Sequence, residues 1–118
     1  MNGLPPDFDA SVFVGQQLVQ VCFTANTVSL HFGDAVSVTV FSTLAHGAKL
    51  NDALEVETIP ISSSSVIRLI GKTITIAMSE VSGRISLGFQ DGSRLDFSDD
   101  SPAYESYSVR IGLREIVV

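Results

Sequence analysis

The second half of the chain repeats the pattern of the first. Val28-Ser29-Leu30-His31-Phe32-Gly33-Asp34 aligns with Ile85-Ser86-Leu87-Gly88-Phe89-Gln90-Asp91 at an offset of 57 residues, and the same offset pairs Val38 with Leu95 and Val40 with Phe97. The match predicts two similar β units that share one core. At the start of each unit the offset is 56, with Gly15 matching Gly71 and Leu18 matching Ile74. The slip is read as one extra residue between Leu18 and Leu30, absorbed by a β-bulge in the first strand or by a longer turn at Thr24 to Thr27.

Period-two alternation supplies the strands. In the first unit Leu18 to Phe23, Val28 to Phe32 and Val36 to Val40 form a three-strand meander that turns at Ala25-Asn26 and Gly33-Asp34-Ala35. In the second, Thr73 to Met78, Arg84 to Phe89 and Arg94 to Phe97 turn at Ser82-Gly83 and Asp91-Gly92. Asp-Gly between alternating apolar residues is a strong hairpin signal, because both central residues of a type I′ turn need positive φ. Between the units, 43–70 reads as an irregular connector with a short strand at Leu54 to Thr58. Serines 62 to 65 then cap a one- or two-turn helix over Val66, Ile67, Leu69 and Ile70.

Glu105 to Ile111 and Arg114 to Val118 read as two final strands turning at Gly112-Leu113, closing the sheet across the pseudo-symmetry. Residues 1–12, with Pro5, Pro6, Asp7 and Asp9, read as an extended arm. A single β domain then spans 13–118, with repeat 1 at about 13–42, repeat 2 at about 71–98 and C-terminal strands at 104–118. The expected fold is all-β with about eight strands and one short helix. Closing two apolar sheet faces on each other gives a small β-barrel or a sandwich with pseudo-two-fold symmetry.

At 118 residues and 45% hydrophobic content, one domain can bury a real core. Thirteen acids against seven bases give a net charge of −6, which opposes a nucleic-acid backbone or an anionic membrane surface and favours a basic protein partner. No segment approaches a membrane span and Met1 to Val12 lacks a signal-peptide pattern, so a cytoplasmic location is expected. Cys22 is alone, excludes an internal disulfide, and reads as a buried inert thiol. Self-association is expected at Ile116-Val117-Val118 if that edge stays open.

Chemical signatures are sparse. His31, His46 and Cys22 fit no metal-ligand spacing, no G-x-S-x-G elbow is present, and no glycine cluster suits a phosphate. No metal, no cofactor and no catalytic residue is assigned. Asp91 to Glu105 is the densest polar segment, with Asp91, Asp96, Asp99, Asp100 and Glu105, but it lacks the alternating ligand pattern of a calcium loop. In Tyr104-Glu105-Ser106-Tyr107, alternation sends the two tyrosines to opposite faces, one into the core and one toward solvent or a partner. Tyr104, Glu105, Tyr107, Asp99 and Asp100 are therefore the candidate binding residues.

Phe89-Gln90-Asp91-Gly92-Ser93-Arg94-Leu95-Asp96-Phe97, followed by Tyr104-Glu105-Ser106-Tyr107-Ser108-Val109, resembles the C-terminal pattern of a functionally uncharacterised family of small bacterial all-β proteins. In that family an F-x-D-G-x-x-L hairpin precedes a Y-E-S-aromatic strand, and an early G-x-x-L-x-x-V resembles Gly15 to Val21. The aromatic is usually Trp there and is Tyr107 here. The resemblance brings no activity or site residues. Some small proteins of this kind are encoded near bacterial toxin systems, which implies an immunity-type role.

Three functions follow in order of support. The first is a non-catalytic protein-interaction module, binding a basic partner or itself. The second is a small-ligand-binding barrel with an apolar cavity reached past Tyr104 or Tyr107. The third is a hydrolytic enzyme using the acids of 91–105 or His31.

Overall fold

The alternation seen in the sequence becomes burial in the computed structural model, which describes residues 3–33, 35–47, 54–59, 65–99 and 106–118. Among the described residues ten strands form: β1 (Leu18–Phe23), β2 (Val28–Phe32), β3 (Val36–Val40), β4 (Thr43–Gly47), β5 (Glu55–Thr58), β6 (Ile74–Ser79), β7 (Ile85–Phe89), β8 (Arg94–Phe97), β9 (Tyr107–Ile111) and β10 (Arg114–Val117). Val28, Leu30 and Phe32 are buried on β2, and Val36, Val38 and Val40 on β3, as are Ile85, Leu87 and Phe89 on β7. The residues between them face outward.

All pairings are antiparallel, and they make two five-stranded sheets ordered β1-β2-β3-β9-β10 and β5-β4-β8-β7-β6. Each sheet is a three-strand meander extended by a hairpin from the other half of the chain: β9 pairs with β3, and β4 pairs with β8. The final strands thus join the first unit. The sheets do not close into a barrel, because β1, β10, β5 and β6 remain edges. The fold is a sandwich whose inner faces meet in one core, with Phe13 set edge-on to Phe32 and Phe97 tilted against Tyr107, both at 5.7 Å between ring centroids. A fully buried Leu, Ile or Phe of this kind stabilises by about 1.5–3 kcal/mol.

Several expectations change. Residues 43–47, read as irregular, form β4, which places Leu44 and the polar His46 in the interior and so hides its alternation. The one-residue slip lies in the second unit. Both edge strands carry the same bulge, between Leu18 and Gln20 in β1 and between Ile74 and Ile76 in β6, so the bulges cancel. The difference is the turn, which spans 80–84 between β6 and β7 but 24–27 between β1 and β2.

The expected helix is a 3-10 turn, Ser65–Leu69, that buries Val66 and Leu69; serines 62 to 64 lie outside the described residues. A second 3-10 turn, Ala10–Phe13, interrupts the N-terminal arm where the Asp9 carboxylate accepts from Ser11 N–H at 2.9 Å. That arm is packed down: Leu4 is buried, and its N–H donates to Val81 O at 3.1 Å. Cys22 is half-buried, because the bulge in β1 turns Val21 and Phe23 inward and Cys22 toward the outer face opposite Ser29. Among the described residues no helix is long and apolar enough to cross a membrane.

Candidate functional site

Of the five candidate binding residues, Tyr104, Glu105 and Asp100 lie outside the described residues. Tyr107 opens β9 on its inward face and is 0% exposed. Its hydroxyl donates to Gly83 O at 2.5 Å, and burial together with the negative charge of Asp99 pushes the phenol well above its usual range. Asp99 accepts from Gly3 N–H at 2.9 Å and from the Ser106 hydroxyl at 3.2 Å. The structure therefore brings Tyr107 and Asp99 together where the arm meets the β6–β7 turn. Both side chains are engaged there in internal contacts that hold the arm and turn in place.

The other acids of the 91–105 segment go to different places. Asp91 sits in the β7–β8 turn, where it accepts from the Lys72 ammonium, from Ser93 N–H at 3.0 Å and from the Ser93 hydroxyl at 2.5 Å. Lys72 first, then Ser93, pull its carboxyl down to about 2. Asp96 is on the outer face of β8. Since the described acids have separate partners, no pair of them shares a proton or a ligand in the manner of an acid–base site. Among the described residues there is also no group of three or more His, Cys, Asp or Glu able to hold a metal ion.

Among the described residues Asp96 is the most confined charge of the outer surface. Its side chain is 2% exposed. Arg94 meets it with a two-pronged contact, Nε to Oδ1 and Nη2 to Oδ2, both 2.8 Å. Arg84 adds Nη2 at 2.6 Å and Nε at 3.2 Å, both to Oδ2. Burial pushes the carboxyl up, and the guanidinium hydrogen bonds more than offset this, holding it below the usual carboxylate range. The sequence contained a signal for this cluster. Leu95 and Phe97 point inward, so Arg94 and Asp96 must both face out, beside Ser86 and Gly88 of the neighbouring strand.

Strand register orders the two outer faces into rows. On the first sheet Gln20, His31, Ser37, Arg110 and Glu115 lie in line across all five strands, with Arg110 paired to Glu115 at 3.0 Å. His31, Ser37 and Arg110 border a recess of about 430 Å³. On the second sheet the corresponding rows are Ile76, Gly88, Arg94 and Met78, Ser86, Asp96, Ala45, Val56. They flank recesses of about 200 and 210 Å³. These three recesses lie on the outer faces of the sheets.

Lys72, Arg84, Arg94, Arg110 and Arg114 are each drawn onto a carboxylate, by Asp91, Asp96, Asp96, Glu115 and Asp7 respectively. Five of the seven basic side chains are thus matched by four of the thirteen acids. Over the whole sequence, thirteen acids against seven bases leave a net charge of −6. No protein-family model, no curated protein and no solved structure matches the chain.

Proposed function

We propose that this chain is a non-catalytic interaction module that binds a basic protein partner through its surplus of negative charge, with an immunity-type role as one form of that activity. The net charge of −6 carries the reading. The excess of acids over bases sets a negative field around the molecule, and that field steers and retains a cationic surface. The dispersal of Asp91, Asp96 and Asp99 to separate partners supports binding over chemistry. On the same reading the two sheets derive from an internal repeat, and the protein works in the cytoplasm.

The test is capture from the producing cells at low salt, comparing the wild-type chain with the double variant Asp100→Lys and Glu105→Lys. The expected result is one basic protein, retained by the wild type, released by high salt, and lost or strongly weakened with the variant. Recovery of the same proteins by both chains, or of acidic proteins insensitive to salt, would overturn the proposal. Native mass measurement of the captured complex also reads self-association, for which β10 is an edge strand among the described residues.

A further inference from the structure

The outer face of the second sheet contains a groove with two unlike walls. Its floor is the outward side of β7, where Gly88 and Ser86 present almost no side chain, and Arg84 follows at the next outward position. One wall is β6, with Ile76 and Met78 at 52% and 65% exposure, in register with Gly88 and Ser86. The other wall is β8, where Arg94 and Asp96 stand opposite the same two floor residues. The resulting recess of about 200 Å³ is lined by Ile76, Met78, Ser86, Leu87, Gly88 and Arg94. At the corresponding place in the first sheet the floor position is His31, so the second sheet differs in having no side chain there.

Charge is unbalanced in this groove. Two guanidiniums converge on the single carboxylate of Asp96, and most of their contacts go to one oxygen, Oδ2. Glu80, in the adjoining turn, accepts from the Ser82 hydroxyl at 3.3 Å. A guanidinium has five N–H donors, and each arginine uses only its Nε and one Nη toward Asp96, so donors remain on both. The side chains of Arg84 and Arg94 are 43% and 27% exposed, which leaves those donors within reach of a ligand.

We propose that this groove binds a small organic acid, its carboxylate on Arg84 and Arg94 and its apolar body over Gly88 against Ile76 and Met78. The chain's overall charge of −6 repels anions at long range, so the attraction has to arise at contact, where two partly desolvated guanidiniums face a carboxylate. The apolar wall then selects an acid with an alkyl chain or ring over a bare inorganic anion.

Heteronuclear NMR titration of the intact chain with octanoate, 1-octanol and octylammonium tests the site. Octanoate is expected to shift the Ser86 and Gly88 amides and the Ile76 and Met78 methyls, with affinity at least about tenfold above octanol and no response to octylammonium. Gly88→Val fills the floor while keeping both arginines and Asp96, and valine suits a strand, so it should abolish octanoate binding while the chain stays folded. Arg84→Gln should weaken octanoate and leave octanol unchanged. Equal binding of octanoate and octanol, shifts confined to other surfaces, or undiminished octanoate binding by a folded Gly88→Val variant would overturn the proposal.

Discussion

Gln17 and Thr73 face each other in an antiparallel bridge that ties the start of β1 to the start of β6. The backbone bonds around it come in matched pairs. Gly15 N–H donates to Ile74 O at 2.8 Å, and Gly71 N–H donates to Leu18 O at 2.7 Å. Likewise Ile74 N–H donates to Gln16 O at 2.8 Å, and Leu18 N–H donates to Lys72 O at 3.2 Å. A local two-fold axis therefore passes through the bridge, and each sheet pins the edge strand of the other.

Both glycines at this corner hold positive φ, 85° at Gly15 and 90° at Gly71, and neither has an atom within 4 Å of where a Cβ would sit. The conformation alone, not crowding, strains a side chain there. Gly15→Ala and Gly71→Ala should each lower stability by about 1–2 kcal/mol, read from urea denaturation midpoints. The asparagine variants should cost less, because Asn enters the left-handed region more readily. A neutral alanine variant at either position would mean that the corner does not hold this backbone.

Asp96 is the buried member of its ion cluster, so removing it strands two guanidiniums without their shared acceptor. Because both arginines reach solvent, the cost falls below that of a fully buried pair. Asp96→Asn is expected to destabilise by about 1–3 kcal/mol in chemical denaturation. An unchanged midpoint would show that the arginines repair themselves in water.

Acid stability follows from the same groups. Asp91 and Asp96 are held below the ordinary carboxylate value of 3.8, and Asp91 falls to about 2. The unfolded chain therefore binds protons first as pH falls, and stabilisation present above 3.8 is lost toward about 2. Asp91 is largely solvent-exposed, so Asp96 should dominate. Denaturation midpoints across this window should fall steeply for the wild type and less steeply for Asp96→Asn; identical slopes would remove Asp96 from the explanation.

The Tyr107 hydroxyl satisfies Gly83 O inside the fold, and burial raises its ionisation. Tyr107→Phe should cost about 1–2 kcal/mol and leave partner capture intact. Its phenolate absorbance should appear only as the protein unfolds in alkali. Normal titration of this residue in the folded state would place it at the surface instead.

Much of the fold was legible because alternation survives wherever one strand face is apolar: Val28 to Val40 and Ile85 to Phe97 gave strands, faces and turns directly. β4 was not legible, since Leu44 and His46 share its inward face and one of them is polar. Nor was the exchange of hairpins between halves, a long-range pairing that no local pattern encodes. The identical bulges in β1 and β6 were invisible to a comparison of the two halves because they cancel in it. At the site, the outward placement of Arg94 and Asp96 followed from Leu95 and Phe97, but the arrival of Arg84 on the same carboxylate depended on the β7–β8 register. The depth of Tyr107 depended on where β9 joined the first sheet.

The decisive experiment is native mass spectrometry of the protein purified gently, at low salt, from its own cells. Binding through surplus negative charge requires a complex whose added mass is a basic protein and which dissociates as ionic strength rises. A bare chain under those conditions, or a complex with an acidic protein that survives high salt, would show that the charge surplus serves no partner.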